Sequence, residues 1–123
     1  MAIIGVVVQG LGKAQLFVAM QFYSRQFEKK LGFKPFPGTL NLHVEAKVKR
    51  ELKKGKGIRI AGRGGKGGAS CFPVKLNALP CFVIIPDKST HAKNVIEVLS
   101  QFNLRRKLRL RNGCRVKISN MGK

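Results

Sequence analysis

The chain has 123 residues, 44% of them apolar, which fits one small domain with a modest core and argues against intrinsic disorder. No apolar run approaches the roughly 18–20 residues that a membrane-spanning helix needs. The chain has 25 Lys and Arg residues but only five Asp and Glu residues. The resulting formal net charge of +20 predicts attraction to polyanions, as in RNA-binding proteins.

The N-terminal run has no basic segment and no small-residue cleavage site, so we interpret it as a strand and not as a signal peptide. We therefore expect a cytoplasmic protein with no membrane attachment. We also expect it to be a monomer. Cys71, Cys81 and Cys114 form no Cys-x-x-Cys pair, which gives little support for disulfides or a structural zinc site. We interpret them as small, mostly buried thiols.

The first half of the chain predicts a strand, a helix and a second strand. The β-branched run Ile3–Val8 ends at glycines and indicates a strand followed by a turn. Apolar residues four apart predict an amphipathic helix over Gln21–Leu31, and Gly32 follows as its C-terminal cap. Leu40, Leu42 and Val44 alternate with polar residues, which predicts a half-buried strand.

The second half predicts further short strands. Lys47–Lys56 is basic and poor in apolar residues, and seven glycines in Gly55–Gly68 predict a loop or hairpin around a short strand at Ile58–Ala61. Leu104–Leu108 could form one helical turn, and Asn112-Gly113 is typical of a turn before a strand. The remaining predicted strands are Cys71–Leu76, Cys81–Ile85, Val95–Leu99 and Arg115–Ile118. Six or seven strands with one or two short helices predict a mainly β protein, a single β-barrel domain over residues 1–123.

Thr39 and Asn41 lie two residues apart in a predicted strand, so their side chains point the same way and present two neutral oxygens on one face. Oxygen atoms are the ligands that Mg²⁺ prefers, often shared with substrate phosphates. A Thr-x-Asn pair is also common on any solvated strand face.

The segment GLGKAQ, from Gly10 to Gln15, follows a strand and could bring backbone N–H groups and Lys13 close to phosphates. It matches neither the dinucleotide-binding fingerprint nor the P-loop, and an ordinary glycine turn is the alternative.

Glu97 is a lone acid in an apolar strand, so if buried it must be paired or hydrogen-bonded, either to a ligand or within an ion pair. The segment GRGGKGG, Gly62–Gly68, is typical of flexible RNA-binding segments and equally of a solvated basic loop. His43 and His91 have no partners at metal-binding spacing.

The chain resembles the archaeal CTP-dependent riboflavin kinases from about Gly10 to Ile118. The resemblance rests on GLGKAQLF, YSRQFEKKLGFKPFPGTLNLHV, CFPVK, VIIPDKSTH and VIEVLSQFNLRRKLRLRNG, in that order. It implies a six-stranded cradle-loop β-barrel and transfer of the γ-phosphoryl group of CTP to the 5′-hydroxyl of riboflavin.

The resemblance also implies the site residues. Thr39 and Asn41 would bind Mg²⁺, Ser89 and Glu97 would contact the flavin, and Glu97 is also the carboxylate candidate for a catalytic role. The residues that would hold the nucleotide are Gly10, Leu11, Gly12, Lys13, Ala14, Gln15, Phe102, Asn103, Leu104 and Arg105.

Three features depart from the family pattern. Position 89 is Ser where Thr is usual, a more acidic turn is usual at Asn112–Cys114, and the charge is strongly positive. The charge keeps open the alternative of a non-enzymatic nucleic-acid-binding protein. A third interpretation is a flavin-binding regulatory module without catalysis, against which the presence of both Thr39 and Asn41 argues. Because of the net charge, we expect non-specific binding of nucleic acid whichever of these functions the protein has.

Overall fold

The computed structural model describes residues 2–10, 21–64, 67–87 and 94–120, which contain seven strands and three helices. The helices are α1 (Gln21–Leu31), α2 (Ala46–Lys53) and α3 (Leu104–Lys107). The strands are β1 (Ala2–Val8), β2 (Leu40–His43), β3 (Ile58–Ile60), β4 (Ala69–Leu76), β5 (Leu79–Pro86), β6 (Val95–Leu99) and β7 (Arg115–Asn120).

The strands form one antiparallel sheet in the order β3-β4-β5-β6-β2-β1-β7. A further pairing of β4 with β7 closes six of these strands into a barrel and leaves β3 as an added strand on β4. The predicted six-stranded barrel is confirmed, and each predicted strand lies within a residue or two of an observed one.

The barrel interior is filled by the apolar residues that alternate along its strands. In β2, Leu40 and Leu42 are buried in this core, so the residue between them, Asn41, points to the outside of the barrel. A second, smaller cluster lies outside the barrel, where Tyr23 and Phe27 of α1 pack with Ile84 and other residues of the sheet.

Helix α1 also covers the outer edge of β3. The Gln26 side chain accepts a hydrogen bond from the N–H of Ala61 at 2.7 Å and donates one to its carbonyl at 3.0 Å. Lys30 Nζ donates to the carbonyl of Arg59 at 2.7 Å. These bonds satisfy backbone groups of Arg59 and Ala61 on the edge of β3 where no other described strand is paired. The helix ends as predicted at Gly32, whose φ is +86°.

Helix α2 was missed by the sequence prediction, which assigned a basic, irregular segment there. Val48 and Leu52 lie four residues apart and are buried in the barrel core. Two buried apolar residues among four cations give only a weak helical period, and Glu45 provides no side-chain cap at the N-terminus.

The cysteines agree with their interpretation as buried thiols. Cys71 and Cys81 are buried, Cys114 is half-buried, and all three are free. Burial raises the pKa of both the Cys71 and the Cys81 thiol to about 12. Within the described ranges, no helix is both long and apolar enough to cross a membrane.

Candidate functional site

Three polar residues meet on the outer face of β2 and β6. Asn41 lies directly opposite Glu97 in the pairing of these two strands. Thr39, immediately before β2, donates a hydrogen bond from Oγ1 to Oε1 of Glu97 at 2.7 Å. We call Thr39, Asn41 and Glu97 the oxygen cluster. The structure thus brings together the two residues predicted to bind a metal and the carboxylate predicted to contact the flavin.

The oxygen cluster is largely shielded from solvent. Asn41 is 6% exposed and Glu97 is 3% exposed. The Oδ1 atom of Asn41 is buried and has no hydrogen-bond partner among the described residues. Because buried polar atoms are almost always paired, this oxygen indicates a place where a ligand supplies the missing interaction.

The donor set suits a hard cation. Mg²⁺ takes oxygen ligands and usually shares them with water and substrate phosphates. The Oδ1 atom of Asn41 is unpaired among the described residues, and the Thr39 oxygen keeps lone pairs while its proton bonds Glu97. No cluster of three or more His, Cys, Asp or Glu residues occurs in the described part of the chain that could offer an alternative metal site.

Gly10 lies against the oxygen cluster. A Cβ atom added at Gly10 would come within 2.0 Å of Nδ2 and 2.7 Å of Cγ of Asn41. Only a glycine therefore lets the backbone after β1 approach the Asn41 amide this closely. This is the one part of the predicted GLGKAQ loop that the structure describes, because residues 11–15 lie outside the described ranges.

Arg105 ties the second predicted nucleotide segment to the same place. Its guanidinium donates to the carbonyl of Val8 at 3.2 Å and to Oδ1 of Asn112 at 2.7 Å. Val8 is paired with Asn41 across β1 and β2 and lies two residues before Gly10. Arg105 and Val8, 97 positions apart in sequence, are thus brought together beside the oxygen cluster.

The other residues of the Phe102–Arg105 segment have distinct environments. Phe102 is 36% exposed, and the Lys107 ammonium lies 4.5 Å from the centre of its ring. Asn103 caps α3 by accepting a hydrogen bond from the N–H of Arg106 at 3.3 Å. The side chain of Leu104 is buried in the barrel core, so this residue can reach a ligand only through its backbone.

Lys49 of α2 is a residue near the site that the sequence prediction missed. Burial lowers its pKa, the neighbouring Lys53 lowers it further, and the Glu97 carboxylate acts in the opposite direction. Lys49 is therefore within electrostatic reach of the oxygen cluster. Its placement depends on α2, which the sequence pattern did not predict, so no local signal marked this lysine among the many others.

Six predicted site positions, five of them in Leu11–Gln15, lie outside the described residues. The five include Lys13, and the sixth is Ser89, the predicted flavin contact. Their roles remain predictions from the resemblance.

Comparison with known proteins identifies a family. The family model CTP-dep_RFKase, described as a domain of unknown function (DUF120), matches residues 7–119. The chain is 37% identical over 122 residues to a riboflavin kinase of Methanopyrus kandleri, covering 97% of this chain and 82% of that protein. It is 38% identical over 123 residues to a riboflavin kinase of Saccharolobus solfataricus, covering 93% and 70%. A riboflavin kinase of Methanosarcina acetivorans is 35% identical over 119 residues, which are 91% of this chain but only 50% of that longer protein.

Proposed function

This chain belongs to the CTP-dependent riboflavin kinase family, and from this membership we propose that it transfers the γ-phosphoryl group of CTP to the 5′-hydroxyl of riboflavin. The products would be FMN and CDP. The oxygen cluster supports the proposal most directly, since it places a buried oxygen of Asn41, unpaired among the described residues, beside the Thr39 hydroxyl and the Glu97 carboxylate.

Phosphoryl transfer asks the protein mainly to position two substrates and to neutralise charge. Thr39 and Asn41 would hold Mg²⁺, which would supply positive charge to offset the negative charge of the phosphates. Gly10 keeps the backbone after β1 close to Asn41, because a side chain at this position would clash with the Asn41 amide. Backbone N–H groups of this segment would then lie near the phosphates.

Arg105 has a positioning role in this scheme. Its bonds to Val8 and Asn112 fix the start of α3 against the end of β1, where the nucleotide would lie. Phe102 presents an exposed ring at the same end and could stack on the cytosine base. Leu11–Gln15, with Lys13 as an additional positive charge, would complete the nucleotide contacts.

Glu97 is suited to receive a hydroxyl group. Its carboxylate accepts a hydrogen bond from Thr39, and an ionised carboxylate has several lone pairs with which it would also accept one from the riboflavin hydroxyl. In that position Glu97 would orient the flavin and could take up the proton as the new phosphate ester forms. Flavin contact and proton acceptance are thus compatible roles for one carboxylate.

The test is a direct assay for FMN. Purified protein is incubated with riboflavin, Mg²⁺ and either CTP or ATP, and the flavin products are separated by chromatography. We expect FMN with CTP and far less with ATP. Equal or better use of ATP would contradict the assignment of the nucleotide, and FMN from neither would contradict the proposed reaction. The non-enzymatic nucleic-acid-binding alternative is not favoured, because the family shown by the comparisons is one of kinases.

A further inference from the structure

A row of exposed cations lies on the outer face of β4 and β7. Lys75 of β4 and Arg115 and Lys117 of β7 are all exposed. Their sequence neighbours Val74, Leu76, Val116 and Ile118 are buried in the barrel core. The three cations therefore share the outer face of the sheet. We call Lys75, Lys117 and Arg115 the basic row.

The register of β4 and β7 sets the spacing of the basic row. Lys75 lies directly opposite Ser119, and Lys117 is two residues before Ser119 on the same strand. Lys75 and Lys117 are thus diagonal neighbours at about 7–8 Å, and Lys117 and Arg115 are about 7 Å apart along β7. The Cα atoms of the three cations follow one another at a nearly constant interval.

No ion pair among the described residues compensates the positive charge of the basic row. Residues 98–123 contain no Asp or Glu. The ion pairs found among the described residues are Lys54–Glu51 and Arg59–Asp87, neither of which involves the basic row. Like charges at neighbouring positions of a sheet are destabilising. An anion bound along the row would remove this repulsion.

The spacing and the shape of this face fit a polymer of phosphates. Lys and Arg side chains spaced at about 7 Å along a sheet can each reach a separate phosphate of one nucleic-acid strand. A membrane surface would also need apolar side chains that insert below the headgroups. Ile4, opposite Lys117 on β1, is the one large apolar side chain that is strongly exposed on the described part of this face.

We propose that the basic row binds the phosphodiester backbone of nucleic acid, without sequence selectivity, as a property separate from phosphoryl transfer. One strand, β1, lies between β2 of the oxygen cluster and β7, which carries Arg115 and Lys117, and β4 with Lys75 lies one strand further. No exposed aromatic residue is described on this face to stack on bases, so the contacts would be to phosphates alone.

The experiment compares two triple variants of equal net charge. One is Lys75→Gln/Arg115→Gln/Lys117→Gln in the basic row. The matched control is Lys47→Gln/Arg50→Gln/Lys53→Gln, which removes three exposed cations from α2 instead. Binding of a fluorescently labelled, mixed-sequence 20-nucleotide RNA and of a duplex DNA is measured by anisotropy from 0.05 to 0.3 M NaCl. Melting curves and FMN formation with CTP verify folding and catalysis in each protein.

If the basic row binds phosphates, its triple variant loses at least tenfold in affinity for single-stranded RNA at 0.1 M salt. The slope of log affinity against log salt should become shallower by about 2, at about 0.7 per lost phosphate contact on a single strand. The control triple should change affinity less than threefold. Equal losses in both triples would overturn the proposal, since they would show that net charge and not this face decides binding.

Two further outcomes also overturn the proposal. One is a wild-type protein that binds neither nucleic acid at 0.05 M salt. The other is a basic-row variant that loses binding to vesicles containing phosphatidylserine while it keeps its binding to RNA. None of the substituted residues belongs to the proposed kinase site, so FMN formation should persist in both triples whatever the binding result.

Discussion

The Thr39 hydroxyl and the Glu97 carboxylate, 58 residues apart in sequence, are joined by a hydrogen bond of 2.7 Å. Asn41 is paired with the same Glu97 across β2 and β6. One carboxylate therefore contacts or faces both residues proposed to hold the metal, and the oxygen cluster is fixed by the register of two strands.

The hydrogen bond between Thr39 and Glu97 can be tested by two substitutions of similar size. Thr39→Val keeps the shape and loses the hydroxyl, which should cost about 2 kcal/mol or more for a hydrogen bond to a charged group, and so lower kcat/KM at least about 30-fold. Thr39→Ser keeps the hydroxyl and should lose less than about fivefold. Steady-state kinetics with riboflavin and CTP measure both. Equal activity of the two variants would remove the hydroxyl from the mechanism.

Asn41→Ala should nearly abolish turnover while the protein remains folded. Loss of one proposed metal ligand should cost several kcal/mol of transition-state stabilisation, on the order of a hundredfold or more in kcat. Asn41 makes no hydrogen bond through Oδ1 within the described residues, so its removal should affect the melting temperature little. His43→Ala is the control, since His43 is on the same strand and face but exposed. Near-wild-type activity of Asn41→Ala across a Mg²⁺ titration would exclude the metal role.

Gly10→Ala should damage the site through a steric clash. The new Cβ atom would meet Nδ2 of Asn41 at 2.0 Å, so either the amide or the backbone must move, at about 1–3 kcal/mol of stability and with a large loss of CTP affinity. Gly55→Ala is the matched control, because its Cβ atom meets only the Leu52 carbonyl at 3.5 Å. Calorimetric titration of CTP, beside melting curves, gives both quantities. A Gly10→Ala protein that binds CTP normally would show that this close approach is unimportant.

Much of the fold could be predicted from the sequence, because period-two alternation and glycine caps are local signals. The bounds of α1 and the inward direction of Leu40 and Leu42 follow from such patterns. The burial of Asn41 does not, since it depends on Gly10 and on strand pairing with Glu97. Lys49 could not be identified as a residue near the site either. Its position depends on α2, and the two buried residues of α2 among several cations give too weak a pattern to predict a helix.

The cysteines should differ sharply in reactivity. Burial holds the pKa of the Cys71 and Cys81 thiols at about 12, above the range of an ordinary thiol, so both stay protonated and inaccessible at pH 8 to 10. N-ethylmaleimide followed by mass spectrometry should therefore show one adduct, at half-buried Cys114, in the native protein and three after denaturation. Rapid labelling of Cys71 or Cys81 in the native protein would contradict their burial.

The same two thiols predict the alkaline behaviour of the fold. A folded-state pKa raised above the unfolded value favours the native state below the unfolded pKa, and this contribution declines as pH rises towards the folded pKa. Stability should therefore fall between about pH 9 and pH 12. Denaturant melts of the wild type and of Cys71→Ala/Cys81→Ala should show a shallower alkaline decline in the variant. Parallel curves would assign the decline to other groups.

Added salt should stabilise the protein in the absence of ligand. The net charge of +20 creates repulsion in the compact state, and the Debye length falls from about 30 Å at 0.01 M to about 8 Å at 0.15 M. Few favourable ion pairs can be lost, because the chain has only five acidic residues. A melting series in NaCl should show a rising melting temperature. A flat or falling series would mean that the charges are too dispersed for this repulsion to matter.

The contacts between α1 and β3 bear on how copies of this protein behave at high concentration. Pairing of β4 with β7 closes the barrel, so β3 is the strand left with an unpaired side. The Gln26 amide forms two hydrogen bonds with the backbone of Ala61, much as the peptide group of a neighbouring strand would. Lys30 donates a hydrogen bond to the carbonyl of Arg59. A strand from another molecule therefore finds its hydrogen-bonding positions already taken. Helix α1 protects the enzyme against edge-to-edge aggregation, in addition to its packing role in the core.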